Sequence, residues 1–250
     1  MRRIRRRLTK LAFALCSLGL GTSMGAPPSV QPRSVPPADS RWKASFDAFA
    51  AADRRQAPAP GGILFVGSSS IRLWDGLERD FQGSPVLKRG FGGSRMVDVA
   101  AHVDQLVLPY KPRLIVVYAG DNDLAEGRTP QQVLDSFQQF VERVRAQLPD
   151  TRIAFLSIKP SPRRAALMPQ AMQANALVAS YAAAMPNLDF IDVYSRMLDG
   201  EGRPRGDLYG SDALHLNEAG YALWRSAIAP HLELPAQVLS APGVAAAAGR

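Results

Sequence analysis

Apolar residues along this chain gather into five short, nearly continuous runs, separated by longer stretches in which they recur at helical spacing. The runs are Ile63–Val66, Pro85–Leu87, Leu114–Tyr118, Ile153–Ile158 and Leu188–Val193. Rich in β-branched residues and without strict alternation, they read as parallel strands covered on both faces. The clearest helix starts at Thr129. Thr129-Pro130-Gln131-Gln132 supplies an N-cap, a proline at the first helical position and a capping-box glutamine. Val133, Leu134, Phe137, Phe140, Val141, Val144 and Leu148 then form one apolar stripe, which Pro149 ends. A second helix is expected after Asn217, and an alanine-rich one over about 169–185. Strand and helix alternating in this way predict an α/β fold: a three-layer α/β/α sandwich around a five-stranded parallel sheet. In such sheets ligand sites lie at the carboxyl ends of the strands.

The two ends of the chain follow other patterns. Arg2, Arg3, Arg5, Arg6, Arg7 and Lys10 precede the apolar run Leu11 to Leu20, and small residues follow (Gly21, Thr22, Ser23, Gly25, Ala26). Residues 1–26 therefore read as an export signal, with a periplasmic or secreted destination. The apolar run is shorter than the roughly 20 residues a bilayer span needs, so no stable membrane span is expected in the mature protein. Five prolines in 27–40 mark a flexible linker, and the Ala/Pro/Gly-rich residues 235–250 a disordered tail, leaving one domain over 41–234. The formal charge of +8 falls to +2 once the six basic residues of the signal are removed, which argues against a nucleic-acid partner. The single cysteine, Cys16, lies in the signal, so the exported chain relies on its packed core rather than on disulfides.

Four segments carry candidate chemistry, each after an expected strand. Gly67-Ser68-Ser69-Ser70-Ile71 follows the first. A glycine lets the chain turn sharply out of the sheet, and a serine there is exposed beside backbone N–H groups. A plain serine-rich helix cap is the simpler reading of these letters alone. Ile71 occupies the place of the last glycine of a Gly-x-Ser-x-Gly elbow, and one glycine does not make a dinucleotide fingerprint. Arg89-Gly90-Phe91-Gly92-Gly93-Ser94 allows either a tight turn or a loop whose N–H groups approach a substrate. Gly120-Asp121-Asn122-Asp123 is either a turn or a source of an amide donor for an oxyanion; it lacks the acidic spacing of a calcium loop. Asp212-Ala213-Leu214-His215 puts a carboxylate and an imidazole three residues apart, the base–orienter arrangement of a serine hydrolase. No second histidine sits at metal-ligand spacing.

Taken together and in this order, the four segments resemble the blocks of the SGNH (GDSL-type) hydrolases, over about residues 60–230. The resemblance implies a flavodoxin-like sandwich and a serine esterase with Ser69, Asp212 and His215 as its triad. It implies an oxyanion hole made by Ser69, Gly93 and Asn122, and no cofactor or metal. Ser68 stands where the family usually has Asp, so Ser69 is placed by counting from Gly67, and Ser70 is the competing nucleophile. Lys88 stands where the second block often has Asn, a change that bears on how the oxyanion loop is braced. The substrate class implied is a small-molecule, glycan or lipid ester; the compact glycine loop and exported address favour a short acyl group such as acetyl. Two rivals remain: a non-catalytic carbohydrate-binding protein on the same scaffold, and a phosphate binder using Ser68–Ser70. Because His215 must be neutral to act as a base, activity is expected to fall in acid. His102 and His231 read as surface or packing residues; Arg72 and Trp74 read as packing residues or as lining of a substrate pocket.

Overall fold

A computed structural model describes residues 41–232. The expected signal (1–26), linker (27–40) and tail (235–250) lie outside the described residues. In chain order the elements are α1 (Lys43–Arg55), β1 (Ile63–Gly67), α2 (Ser69–Arg72), α3 (Leu77–Asp80), β2 (Val86–Gly90), α4 (Met96–Ala101) and α5 (Val103–Leu106). They continue with β3 (Leu114–Tyr118), α6 (Asp121–Ala125), α7 (Pro130–Arg145), β4 (Arg152–Leu156), α8 (Met168–Ala183), β5 (Leu188–Ile191) and α9 (Glu218–Ile228). All strand pairs are parallel, in the order β2-β1-β3-β4-β5. That is the flavodoxin-like order, whose switch point lies between β1 and β3.

The strands are where the apolar runs place them because both faces of the sheet are covered. Every residue of β1 and of β3 is buried. Alternate side chains feed opposite layers, as the two-residue period of a strand requires. Leu64 and Val66 join Ile115 and Val117 against α1, α4, α7 and α8. Ile63 and Phe65 join Leu114, Val116 and Tyr118 against Trp74, Tyr221 and Trp224, on the side of α2, α3 and α9. The result is the three-layer sandwich. Among the described residues no helix is long and apolar enough to cross a membrane.

Helix α7 begins as its letters dictate. Thr129 Oγ1 accepts from the Gln132 N–H at 3.2 Å, and Gln132 Oε1 accepts from the Thr129 N–H at 2.9 Å. Its stripe is buried at Val133, Phe137, Phe140, Val141 and Val144. Two strands end earlier than the apolar runs suggest. Ser157 N–H still bonds the Ile191 carbonyl, but beyond it side chains take over: Ser157 Oγ accepts from Val193 and Tyr194 N–H, and the Asn175 amide pairs with both backbone groups of Ile158. At the other edge Pro85 precedes β2 and offers only its carbonyl, to Ile63 N–H at 2.8 Å.

Candidate active site

The turn leaving β1 is set by Gly67. Its φ is 143°, and a Cβ there would lie 1.9 Å from the Tyr118 carbonyl oxygen, so only glycine fits. Ser68 N–H then bonds Tyr118 O, and the Ser68 carbonyl receives the N–H groups of Ile71 and Arg72 as α2 begins. Of the three serines, Ser68 and Ser70 are buried, while Ser69 is only half-buried at the start of α2. Ser69 Oγ lies 3.0 Å from His215 Nε2. Ser70 instead points inward, and its carbonyl accepts from the Tyr221 hydroxyl.

His215 arrives on the turn that precedes α9. Ala213 takes a left-handed φ of 56°, and the Gly210 N–H closes the turn on the His215 carbonyl at 2.8 Å. This brings Asp212 Oδ2 to 2.5 Å from His215 Nδ1. Asp212 Oδ1 meanwhile accepts from the N–H groups of His215 (2.9 Å) and Leu214 (3.0 Å). The His215 N–H, the imidazole and the Leu214 N–H, in that order, hold this carboxyl well below the ordinary range although it is largely exposed. An ionised Asp212 only accepts, so Nδ1 carries the proton and Nε2 is left as acceptor for the Ser69 hydroxyl. Asn217 caps α9 by accepting from Gly220 N–H, which fixes where the turn hands over to the helix.

The facing side of the cleft comes from the ends of β2 and β3. Gly93 has φ 72°. The carbonyls from Gly92 to Ser94 each have a side-chain donor: Gly92 O accepts from Trp42 Nε1 (3.0 Å), Gly93 O from Arg41 Nη2 (3.2 Å) and Ser94 O from Asn122 Nδ2 (3.0 Å). Among the described residues the N–H groups of Gly93 and Ser69 meet no backbone carbonyl. Asn122 is 9% exposed, and its Oδ1 accepts from Arg164 Nη2 at 2.9 Å. Its neighbours fix α6: Asp123 accepts from Met96 N–H and pairs with Arg128, and Asp121 pairs with Lys159 and Arg164. Among the described residues no three His, Cys, Asp or Glu side chains converge as a metal site.

Ser69, His215, Gly93 and Asn122 line one cleft of about 560 Å³ with Arg41, Trp42, Arg72, Leu214 and Arg164. The five positions picked out by sequence thus come together, with Asp212 behind His215. A hydroxyl bonded to an imidazole, in one cleft with Gly93 and the Asn122 amide, is equipped for attack on a carbonyl. Arg72 lines the cleft, whereas Trp74 is core: it is 1% exposed, packs on Phe65, Phe81, Tyr221 and Trp224, and donates to Asp80. Lys88 does not reach the glycine loop; its Nζ donates to the Trp74 carbonyl. His102 packs against Trp42, Phe46 and Phe91. Sequence reasoning missed Trp42 and Arg164. Arg164 lies just beyond the carboxyl end of β4, where the strand-end rule directs attention.

The model of the GDSL-like Lipase/Acylhydrolase family matches residues 66–223. Among solved structures, the chain is similar to a Streptococcus pneumonia protein assigned as a platelet activating factor (TM-score 0.70, 20% identity, 78% of this chain and 94% of that one). It is also similar to a GDSL-like lipase from Bacteroides thetaiotaomicron (0.64, 20%, 75% and 96%). A third is a variant of an acetyl-xylooligosaccharide esterase from Geobacillus stearmophilus (0.56, 14%, 71% and 97%). At these identities the likeness is one of fold. Among curated protein sequences none matches this chain.

Proposed function

The chain belongs to the GDSL-like lipase/acylhydrolase family and is an ester hydrolase, and on that premise we propose that it is a serine esterase working through an acyl-enzyme on Ser69. The observation that carries the reading is the chain of contacts from Ser69 Oγ to His215 Nε2 (3.0 Å) and from His215 Nδ1 to Asp212 (2.5 Å).

In the first step His215 Nε2 takes the Ser69 proton as Oγ bonds to the ester carbonyl carbon. The carbonyl oxygen becomes an oxyanion, met by the N–H groups of Gly93 and Ser69 and by the Asn122 amide. Asp212 stays ionised and stabilises the imidazolium. Collapse expels the alcohol, which leaves with the proton from His215. Water then attacks the acyl-enzyme by the same route, giving the acid and free Ser69. Side chains, backbone and water supply every proton and electron pair.

The substrate of this proposal is a short acyl ester, acetyl on a glycan being the favoured case. The tight Gly92-Gly93 loop and the likeness to an acetyl-xylooligosaccharide esterase support it. Export to the periplasm or medium belongs to the same proposal, supported by the basic and apolar pattern of residues 1–26. The test is hydrolysis of p-nitrophenyl acetate by the wild type and by Ser69→Ala, with folding of both checked by circular dichroism. The variant is expected to lose about 10⁴-fold or more in kcat. A Ser69→Ala protein as active as wild type overturns the assignment and moves the search to Ser70.

A further inference from the structure

Behind the Asn122 amide lies a cluster that the esterase mechanism above does not use. Asp121 Oδ2 receives Lys159 Nζ at 3.3 Å and Arg164 Nη1 at 2.9 Å, and Lys159 Nζ also reaches the Tyr118 hydroxyl at 3.2 Å. The Lys159, Asp121 and Arg164 side chains are 1%, 9% and 22% exposed. Two basic side chains share one carboxylate; burial lowers the Lys159 pKa while Asp121 pulls it up, and the Arg164 guanidinium stays charged. Burial raises the Asp121 carboxyl, but Lys159 and Arg164 together outweigh it and keep it ionised below its usual range. The second arm of the Arg164 fork, Nη2, donates to Asn122 Oδ1 at 2.9 Å.

A guanidinium only donates, so its partner on Asn122 has to be the amide oxygen. This fixes the amide with Nδ2 turned toward Ser94 and the cleft. One Nδ2 hydrogen is taken by the Ser94 carbonyl, and the other is left for the cleft. The bond from Arg164 is charge-assisted and draws electron density toward Oδ1, which makes the opposite N–H a stronger donor. Without Arg164 only the Ser94 carbonyl holds the amide, which is then free to rock about its last side-chain torsion and loses the polarisation of Oδ1.

We propose that Arg164 is a positioning residue of the oxyanion site: braced on Asp121, it locks and polarises the Asn122 amide so that its N–H faces the reacting carbonyl. The inference rests on the serine-esterase reading, in which Asn122 is an oxyanion donor. Arg164 acts in the transition state rather than on substrate, so its loss appears in kcat and not in KM.

The experiment is a double-mutant cycle on p-nitrophenyl acetate: wild type, Arg164→Ala, Asn122→Ala and the double variant, with Ser69→Ala alongside. Arg164→Ala is expected to lower kcat about tenfold with KM within about twofold; Asn122→Ala lowers kcat about a hundredfold. In the Asn122→Ala background the Arg164 substitution is expected to cost less than about twofold, because the group it acts through is gone. If Arg164→Ala does not fold, Arg164→Lys, which keeps a cation beside Asp121 but cannot span both acceptors, completes the same cycle. An undiminished loss in the Asn122→Ala background, a loss confined to KM, or no loss at all overturns the proposal. Failure of the esterase reading is seen separately, as activity surviving in Ser69→Ala.

Discussion

Asp212 and His215 stand three residues apart on one exposed turn and bond mostly to each other. Across the cleft, the groups around Gly93 and Asn122 come from two strand ends and are held by partners 28 to 52 positions away in the chain. The proposed acid–base side is thus local and open to water, and the proposed oxyanion side is long-range and, at Ser94 and Asn122, buried. The difference teaches where function and stability are coupled. On the local side a substitution can remove chemistry and leave the fold intact. On the buried side each polar group is also part of the packing, so a loss of rate comes with a loss of stability.

The sharpest way to break this contrast is Asp212→Asn. It is expected to lower kcat by about 10⁴-fold, because the wrong imidazole tautomer then faces Ser69. Its melting temperature should fall by only a few degrees, since the asparagine oxygen can still accept from the Leu214 and His215 N–H groups and the site is half-exposed. A large drop in melting temperature would show that the turn is not as self-contained as its bonding says.

Next in size is a pH effect on the buried side. Burial pushes the Asp123 carboxyl from its ordinary 3.8 up to about 6, against the Met96 N–H and Arg128, which pull it down. The protonated form is the one the fold favours. Asp123 therefore contributes stability that is fully present below about pH 4 and is lost as pH rises through 6. Two units correspond to about 3 kcal/mol. Urea unfolding at pH 4 and pH 7 should show wild type gaining on Asp123→Asn by about that amount at the lower pH. A difference between the two proteins that does not change with pH would refute the assignment.

The smallest effect expected is that of Trp42→Phe, which keeps the packing on Phe91 and His102 but removes the Nε1 bond to Gly92 O. About 1 kcal/mol of stability and a few-fold in kcat should go together. Thermal melts and kcat measured on one preparation check whether they do.

What the letters disclosed follows the same divide. The α7 cap is legible because Thr129 and Gln132 bond each other across three residues. Asp212 and His215 are legible for the same reason, and β1 and β3 because burial on both faces demands unbroken apolar runs. Arg164 and Trp42 were not legible, since nothing near them in sequence tells of partners 42 or 50 residues away. The early ends of β4 and β5 escaped notice likewise: Ser157 and Asn175 take over the backbone bonds there from outside the ladder. Trp74 follows the Ser68–Ser70 turn by only a few residues, yet its ring belongs to the core, because α2 is a single turn that points it back into the sheet.

The crowding of Gly67 against Tyr118 bears on how such a protein acquires new substrates. The seat of Ser69, the proposed nucleophile, has no spare room, so it acts as a fixed datum that variation cannot adjust. Diversity must enter instead through the rim, at side chains such as Arg41, Arg72 and Leu214 that face the cleft. A library built to retarget the enzyme would vary those three positions and leave the glycine untouched.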